Sequence, residues 1–198
     1  PPPKFSDGSL VKALEEEGIG RPSTYAPIIK VLSSRNYVVR SGGRLIPTAR
    51  GHLVTTFLRH YFEKYVDYKY TSEMEEKLDK VSNNELDWTF LLRNFWVSFE
   101  PNVLDVLQIR NRDIIDALDE ILGEALVSGL DLESEDKRQC PACQSGTLGL
   151  KLSRFGGFVG CSNYGSKTNE CNFGVPLDMC FGSSKQIAKH RFDPDALK

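Results

Sequence analysis

The sequence lacks any long hydrophobic run. None of its apolar stretches approaches the roughly 20 residues that a helix needs to cross a bilayer, and no charged segment followed by an apolar one opens the chain, as in a secretory signal. These absences argue against a membrane protein and predict a soluble intracellular one. Methionine is also missing from the first position, where Pro1 begins a run of three prolines. We therefore expect the chain to have been cut from a longer protein.

Excess charge of one sign is missing overall but is present locally. The 198 residues are 40% hydrophobic and 26% charged, with a net charge of −2. This composition excludes a disordered or collagen-like chain and predicts a buried core divided between two domains. Residues 1–60 have a net charge of +5, residues 61–139 a net charge of −10 and residues 140–198 a net charge of +3. Because electrostatic attraction depends on the local field, the two basic ends are candidate polyanion-binding segments.

The first 50 residues predict two helices followed by a two-stranded ribbon. Apolar residues recur at helical spacing over 10–14 after Ser9, a good N-cap residue, and glycines end this helix. A second amphipathic helix covers 25–32, and its cap lies near Ser23 or Thr24. Two short β-prone runs, 37–39 and 44–46, surround Ser41-Gly42-Gly43, which is a hairpin signal. This order is that of a winged helix-turn-helix.

The middle of the chain predicts a helical core. Apolar stripes recur at helical spacing from Thr48 onward, and the clearest of them predicts a last helix over 107–122. Acidic residues occupy the outer face of these helices and are predicted to form a solvated surface rather than a metal or acid–base site. They are Glu73, Glu75, Glu76, Asp79, Asp116, Asp119 and Glu120. The predicted fold is mainly α with a small β part: a winged-helix-like helical domain over 1–132, a linker over 133–139 and a zinc ribbon with a tail over 140–198.

All five cysteines lie between residues 140 and 180. Cys140 and Cys143 form a Cys-x-x-Cys turn in which two thiolates can bind one ion, Cys161 and Cys171 complete a set of four, and the stretch between the pairs has the character of a hairpin. This pattern predicts a closed, structural zinc site. Cys180 is an alternative fourth ligand, although a small buried side chain is the more ordinary role for it.

Other uses of these cysteines fit the sequence less well. An intracellular setting disfavours disulfides, and no βαβ pattern accompanies a redox Cys-x-x-Cys. A zinc deaminase needs an upstream His-x-Glu. None of the three histidines, His52, His60 and His190, is followed two residues later by glutamate.

Cations alternate with aromatic residues within the predicted ribbon. The candidate residues are Lys151, Arg154, Phe155, Phe158 and Tyr164. Proteins that stack unpaired bases and follow a phosphate backbone often have this combination. The alternative is that some of these rings form the small core of the ribbon.

Several longer motifs resemble those of one known family. They are Gly18-Ile19-Gly20-Arg21-Pro22-Ser23-Thr24-Tyr25-Ala26, Leu45-Ile46-Pro47-Thr48, Tyr70-Thr71-Ser72-Glu73-Met74-Glu75, and the segment from Leu152 to Tyr164 that contains Phe155-Gly156-Gly157-Phe158. Together they resemble bacterial DNA topoisomerase I of the type IA family and its zinc-ribbon repeats. The ten-residue step from Cys161 to Cys171 is longer than the family usually has.

The resemblance implies an enzyme that relaxes negatively supercoiled DNA. In such enzymes a tyrosine cleaves one strand through a 5′-phosphotyrosine, another strand passes through the gap, and magnesium held by toprim carboxylates assists. Neither the tyrosine motif nor a toprim motif occurs in the 198 residues, so we expect this chain alone to be inactive and to bind no magnesium. The resemblance places Arg21, Ser23 and Thr24 against a DNA phosphate, where a helix N-terminus also favours anions. It further implies single-stranded DNA and the rest of a topoisomerase chain as partners, in the bacterial cytoplasm at the nucleoid.

Two other functions remain as alternatives. A winged-helix and zinc-ribbon regulator would read the major groove through its second helix, but base readout favours Arg, Asn or Gln along that helix, and its cations cluster at the far end. A purely structural zinc-binding interaction module would have no affinity for DNA.

Overall fold

A computed structural model describes residues 3–130, 136, 138–153, 156–165 and 171–180 of the chain. The chain forms two compact units, Pro1–Arg110 and Asn111–Lys198. The helices of the first unit are α1 (Asp7–Glu16), α2 (Tyr25–Ser34), α3 (Ala49–Tyr61), α4 (Glu63–Val66), α5 (Tyr68–Ser82) and α6 (Trp88–Gln108), and its strands are β1 (Val38–Ser41) and β2 (Arg44–Pro47). The second unit contains α7 (Asn111–Ser128), β3 (Leu148–Ser153), β4 (Gly156–Cys161), β5 (Gly174–Pro176) and α8 (Leu177–Cys180). The prediction of a mainly helical chain with small sheets is confirmed.

The first helix begins earlier than the sequence predicts. Ser6, not Ser9, is the N-cap of α1, and the two serines form a reciprocal capping box. Ser9 Oγ accepts the Ser6 N–H at 2.8 Å, and Ser6 Oγ accepts the Ser9 N–H at 3.2 Å. Both serines are good capping residues, and the pair satisfies two helix-end donors at once. The helix ends as predicted before Gly18, which has a φ of +69°.

The predicted hairpin is confirmed as an antiparallel pair, β1–β2, in which Ser41 faces Arg44. Thr48 then caps α3: its hydroxyl accepts the Gly51 N–H at 3.1 Å and donates to the Asn36 carbonyl at 2.6 Å. A Cβ at Gly51 would lie 2.2 Å from the Tyr37 carbonyl oxygen. Glycine is therefore required where α3 passes the chain leading into the hairpin.

Aromatic side chains join α4 to α6. The Tyr65 ring meets the Phe99 ring edge-on at 4.9 Å, and Phe95 stacks on Phe99 at 5.1 Å. Offset and edge-on arrangements of this kind suit the quadrupoles of the rings. The predicted last helix over 107–122 is wrong at its start, because the extended backbone at Ile109 ends α6 and separates it from α7.

The second unit places α7 on a three-stranded antiparallel sheet of order β3-β4-β5. Leu148 and Leu150 of β3 and Val159 of β4 are buried, as is Leu126 of α7. Asp119 of α7 accepts the Leu150 N–H at 2.7 Å. α7 therefore shares a core with the cysteine-containing sheet, within the unit that begins at Asn111, and the linker at 133–139 stays a prediction. Part of that linker lies outside the described residues.

In the part of the chain that the structure describes, none of the helices combines the length and the hydropathy of a membrane span.

Candidate metal centre and nucleic-acid interface

Four cysteine side chains meet at one end of the sheet in the second unit. The sulfur atoms of Cys140, Cys143, Cys161 and Cys171 all lie within 4.8 Å of one another. The Cys140–Cys171 and Cys143–Cys161 sulfur distances are 3.7 and 3.6 Å. Zinc–sulfur bonds of about 2.3 Å in a tetrahedron separate the sulfurs by about 3.8 Å. The cluster therefore has the size and the donor set of a four-thiolate zinc site.

The backbone around the first pair holds the cluster in this shape. The Cys140 N–H donates to the Gly146 carbonyl at 2.9 Å, and the Gln144 N–H donates to the Cys140 carbonyl at 2.9 Å. Gln144 has a φ of +55°, which tightens the turn. A Cβ at Gly146 would lie 2.3 Å from the Cys161 sulfur, so only glycine leaves room for that ligand.

The environments of the sulfurs differ. Hydrogen bonds from Ser145 lower the pKa of Cys143 to about 5. Burial raises the pKa of Cys161 to about 12. A thiol with a raised pKa, such as that of Cys161, loses its proton when a cation binds to the sulfur. A metal ion that binds at this cluster therefore releases protons.

Cys180 lies outside the cluster. Its side chain is buried, its thiol donates to the Pro176 carbonyl at 3.8 Å, and burial raises its pKa to about 12. Among the described residues, the set that meets around one point contains Cys171 and not Cys180. The geometry therefore favours Cys171 as the fourth ligand over the alternative that the sequence left open.

One face of the sheet carries the predicted cation and aromatic side chains. Lys151 of β3 is the register partner of Phe158 of β4. The Phe158 and Tyr164 rings lie 5.5 Å apart at 61°. Phe158 also lies across Gly160, where an added Cβ would be 2.7 Å from the ring, and beside Gly174. The glycines therefore leave a flat surface on which the ring rests.

These side chains line an open groove of about 920 Å³, which the first two turns of α7 border through Arg112 and Asp116. Tyr164 is 44% exposed. An exposed ring beside a lysine is the combination that base stacking and phosphate contact need. Arg154 and Phe155, which the sequence assigns to the same surface, lie outside the described residues.

The predicted phosphate-binding turn lies in the first unit, before α2. Gly20, with a φ of +77°, donates its N–H to Glu75 Oε1 at 3.1 Å. Thr24 is the N-cap residue, but its hydroxyl accepts the Arg21 N–H at 2.8 Å and donates to the Arg21 carbonyl at 3.0 Å instead of capping the helix. Ser23 is exposed. The turn thus presents the Ser23 hydroxyl outward while Thr24 fixes its backbone.

The Arg21 side chain is ion-paired. Its Nη2 lies 2.6 Å and its Nε 3.4 Å from the two Asp79 carboxylate oxygens, and Nη1 donates to the Gly20 carbonyl at 2.6 Å. Glu75 Oε2 lies 3.8 Å from Nη1. The hydrogen bond to Asp79 raises the pKa of Arg21. The planar fork that suits a phosphate is therefore occupied by a carboxylate.

Three of the carboxylates that the sequence assigned to a solvated face have specific partners in the structure, which sequence reasoning missed. Glu75 of α5 accepts the Gly20 N–H and Asp79 pairs with the Arg21 side chain, while Asp119 pairs with Arg138 at 2.9 Å and accepts the Leu150 N–H. The available signal was the motif ending in Glu75. In the structure the motif from Tyr70 to Glu75 packs on the motif that begins at Gly18: a Cβ at Gly18 would lie 2.6 Å from Ser72 Oγ.

Comparison with known proteins agrees with these features. Residues 1–93 match the family model described as DNA topoisomerase. DNA topoisomerase 1 of Rickettsia typhi is 44% identical to the chain over 173 residues, which are 87% of this chain and 21% of that protein. The enzyme of the same name from Zymomonas mobilis is 44% identical over 164 residues, which are 83% of this chain and 13% of that protein. The chain belongs to the bacterial DNA topoisomerase I family.

A solved structure of this topoisomerase family shares the fold. Full-length topoisomerase I from Thermotoga maritima matches with a TM-score of 0.58 and 29% identity, over 86% of this chain and 25% of that one. The chain therefore spans about a fifth or less of the length of the curated topoisomerases described above. The match to the topoisomerase family model contains both motifs that meet at Arg21.

Proposed function

We propose that this chain is a DNA-binding part of a type IA topoisomerase that relaxes negatively supercoiled DNA by transient cleavage of one strand. The observation that carries the proposal is the identity of 44% to DNA topoisomerase 1 over 87% of the chain. The chain would bind single-stranded DNA in the bacterial cytoplasm, at the nucleoid, beside the parts of the enzyme that cut it. Its α1–α2–β1–β2 segment is the winged-helix-like portion.

The second unit is a zinc ribbon in this proposal. The four thiolates match the donor type, number and spacing of a closed tetrahedral zinc site with no open position. Zinc held by Cys140, Cys143, Cys161 and Cys171 is then structural. It connects the Cys-x-x-Cys turn to the last residue of β4, Cys161, and to Cys171, which precedes β5.

The ribbon face supplies stacking and charge. Phe158 and Tyr164 offer rings to unpaired bases, and Lys151 offers its ammonium to the phosphates between them; Arg154 and Phe155 are proposed to extend the same surface. Every base has a face that can stack, so this contact has little sequence preference. The three groove residues support single-strand binding because they lie on one side of one sheet.

The Arg21 turn supplies the contact nearest the chemistry. In a type IA enzyme, Arg21, Ser23 and Thr24 would lie against a phosphate of the bound strand. The guanidinium can bind the phosphate with two parallel hydrogen bonds, Ser23 can donate its hydroxyl, and Thr24 maintains the turn. A cation at that position stabilises the charge that develops on the phosphate during cleavage.

The remaining chemistry would come from other parts of such an enzyme. The family's tyrosine motif and toprim carboxylates, which bind magnesium to assist cleavage and religation, have no counterpart in these 198 residues. We propose that this chain alone binds DNA and neither cleaves nor relaxes it.

Titration of labelled oligonucleotides at two salt concentrations tests the proposal. We expect weak binding of single-stranded oligothymidine, weakened further by salt because phosphate contacts release counterions, and little change with base composition. A supercoiled-plasmid assay with magnesium should show no relaxation. Tight duplex-specific binding would instead indicate a regulator, the absence of any DNA binding would indicate a structural module, and relaxation by the pure chain would contradict the assignment of the chemistry to other parts.

A further inference from the structure

The ion pair between Arg21 and Asp79 has a consequence for DNA binding. A carboxylate and a phosphate offer the guanidinium the same planar pair of oxygens, and both bind it through two parallel hydrogen bonds. In the structure, Nε and Nη2 of Arg21 point at Asp79. A phosphate that uses this edge of Arg21 has to take the place of Asp79.

The two carboxylates beside Arg21 differ in how firmly they are held. The Glu75 side chain is 27% exposed and accepts the Gly20 N–H at 3.1 Å as well as lying near Nη1. The Asp79 side chain is 58% exposed. Exposed ion pairs are weak because water solvates both partners and salt screens them. Asp79 is thus the partner that can be displaced, while Glu75 stays with the backbone of the turn.

The charges around the turn also favour the departure of Asp79 when a phosphate binds. Arg21 with Glu75 and Asp79 carries a net charge of −1, which repels a phosphate. When the Asp79 side chain moves away, the charges of Arg21 and Glu75 cancel. The exposed edge of the guanidinium then attracts the phosphate.

We propose that Asp79 is a competing ligand for Arg21, occupying its phosphate-binding edge in the absence of DNA and leaving it when a phosphate binds. This inference rests on the proposed phosphate role of Arg21. It assigns opposite roles to two acidic residues on the same helix: Glu75 positions the turn, and Asp79 opposes DNA binding.

Oligothymidine binding by the 198-residue chain tests the competition, with fluorescence anisotropy at low salt as the readout. Asp79→Asn keeps the shape of the side chain and removes its charge. We expect affinity to rise by about two- to fivefold, the range that loss of an exposed ion pair allows. Glu76→Gln, an exposed carboxylate three residues earlier on α5, changes the net charge equally and should give a smaller gain.

The background of Arg21→Ala separates this inference from the proposed function. If Arg21→Ala leaves affinity unchanged, the phosphate role of Arg21 is wrong. If Arg21→Ala weakens binding while Asp79→Asn also weakens it, the proposed function stands and Asp79 is a positioning residue, which overturns the inference. The inference also fails if the gain from Asp79→Asn equals that from Glu76→Gln or persists in the Arg21→Ala background.

A second measurement follows the ion pair itself. The Arg21 Nε–H resonance, assigned by its loss in Arg21→Ala, should shift in Asp79→Asn and should shift again in the wild-type chain when oligothymidine is added. An Arg21 resonance that stays unchanged at saturating oligothymidine would show that Asp79 keeps its partner, and would overturn the proposal even if the variants fold differently.

Discussion

Replacement of Cys171 and of Cys180 by serine tests the metal centre with two nearly identical changes in one small region. Serine is similar in size to cysteine, but its hydroxyl does not ionise to replace a thiolate ligand. Cys171 lies within the group of four sulfurs, 3.7 Å from the Cys140 sulfur, whereas Cys180 hydrogen-bonds to the Pro176 carbonyl. We therefore expect Cys171→Ser to lose zinc and Cys180→Ser to keep it.

The expected loss of zinc affinity in Cys171→Ser can be estimated from the geometry of the four sulfurs. Two of the sulfur pairs already have the separation of a zinc tetrahedron and all four sulfurs lie within 4.8 Å of one another, so little of the binding free energy is spent on rearrangement. Structural zinc sites bind with about 10–16 kcal/mol at pH 7, or roughly 3 kcal/mol for each of four ligands. Loss of one ligand then weakens zinc binding by about 100-fold.

Zinc content and a competition titration with a chromophoric chelator measure this difference. The wild type and Cys180→Ser should each contain one zinc per chain and compete equally with the chelator. Cys171→Ser should contain less zinc and release it at lower chelator concentration. Retention of zinc by Cys171→Ser together with its loss from Cys180→Ser would refute the ligand assignment.

Three further predictions address the fold and the Arg21 turn. Gly51→Ala should lower the free energy of unfolding by about 1–3 kcal/mol, because its Cβ would lie 2.2 Å from the Tyr37 carbonyl; Gly8→Ala, with nothing within 4 Å, should raise it by up to about 1 kcal/mol. Hydrogen bonds lower the pKa of Asp87, so its charge stabilises the fold above about pH 4 and this stabilisation is lost as pH falls through the folded pKa. The difference in denaturant stability between wild type and Asp87→Asn should vanish in acid, and a difference constant with pH would contradict this. In a topoisomerase that contains this chain, Arg21→Ala should slow strand cleavage more than it weakens DNA binding; equal losses would indicate simple anchoring.

Local patterns predicted the elements of the fold well. The hairpin at 38–47 follows from β-prone runs around two glycines, which the backbone needs at positive φ. The start of α1 was predicted three residues late because Ser6 and Ser9 are equally good caps, and only the formed helix shows which one is used. The break at Ile109 was missed because the apolar periodicity of α6 resumes in α7.

The candidate sites were predicted in part. The cysteine spacing identified the four thiols, since a Cys-x-x-Cys turn brings two sulfurs together locally. It did not decide between Cys171 and Cys180 as the fourth ligand, because the place of a cysteine that follows a long loop is set by how the strands of the sheet pair. The pairing of Arg21 with Asp79 spans 58 residues and arises only when α5 packs on the turn. Acidic periodicity on a helix looks the same whether its carboxylates face solvent or another segment.

We propose that this chain binds single-stranded DNA through the Arg21 turn and the ribbon face. Mapping of amide chemical shifts during titration with oligothymidine tests it most directly. We predict that the largest shifts fall on Gly20 to Thr24 and on Lys151, Phe158 and Tyr164, and that they weaken together as salt is added. Large shifts confined to the acidic helices α5 and α7, or no shifts at saturating oligothymidine, would contradict the account.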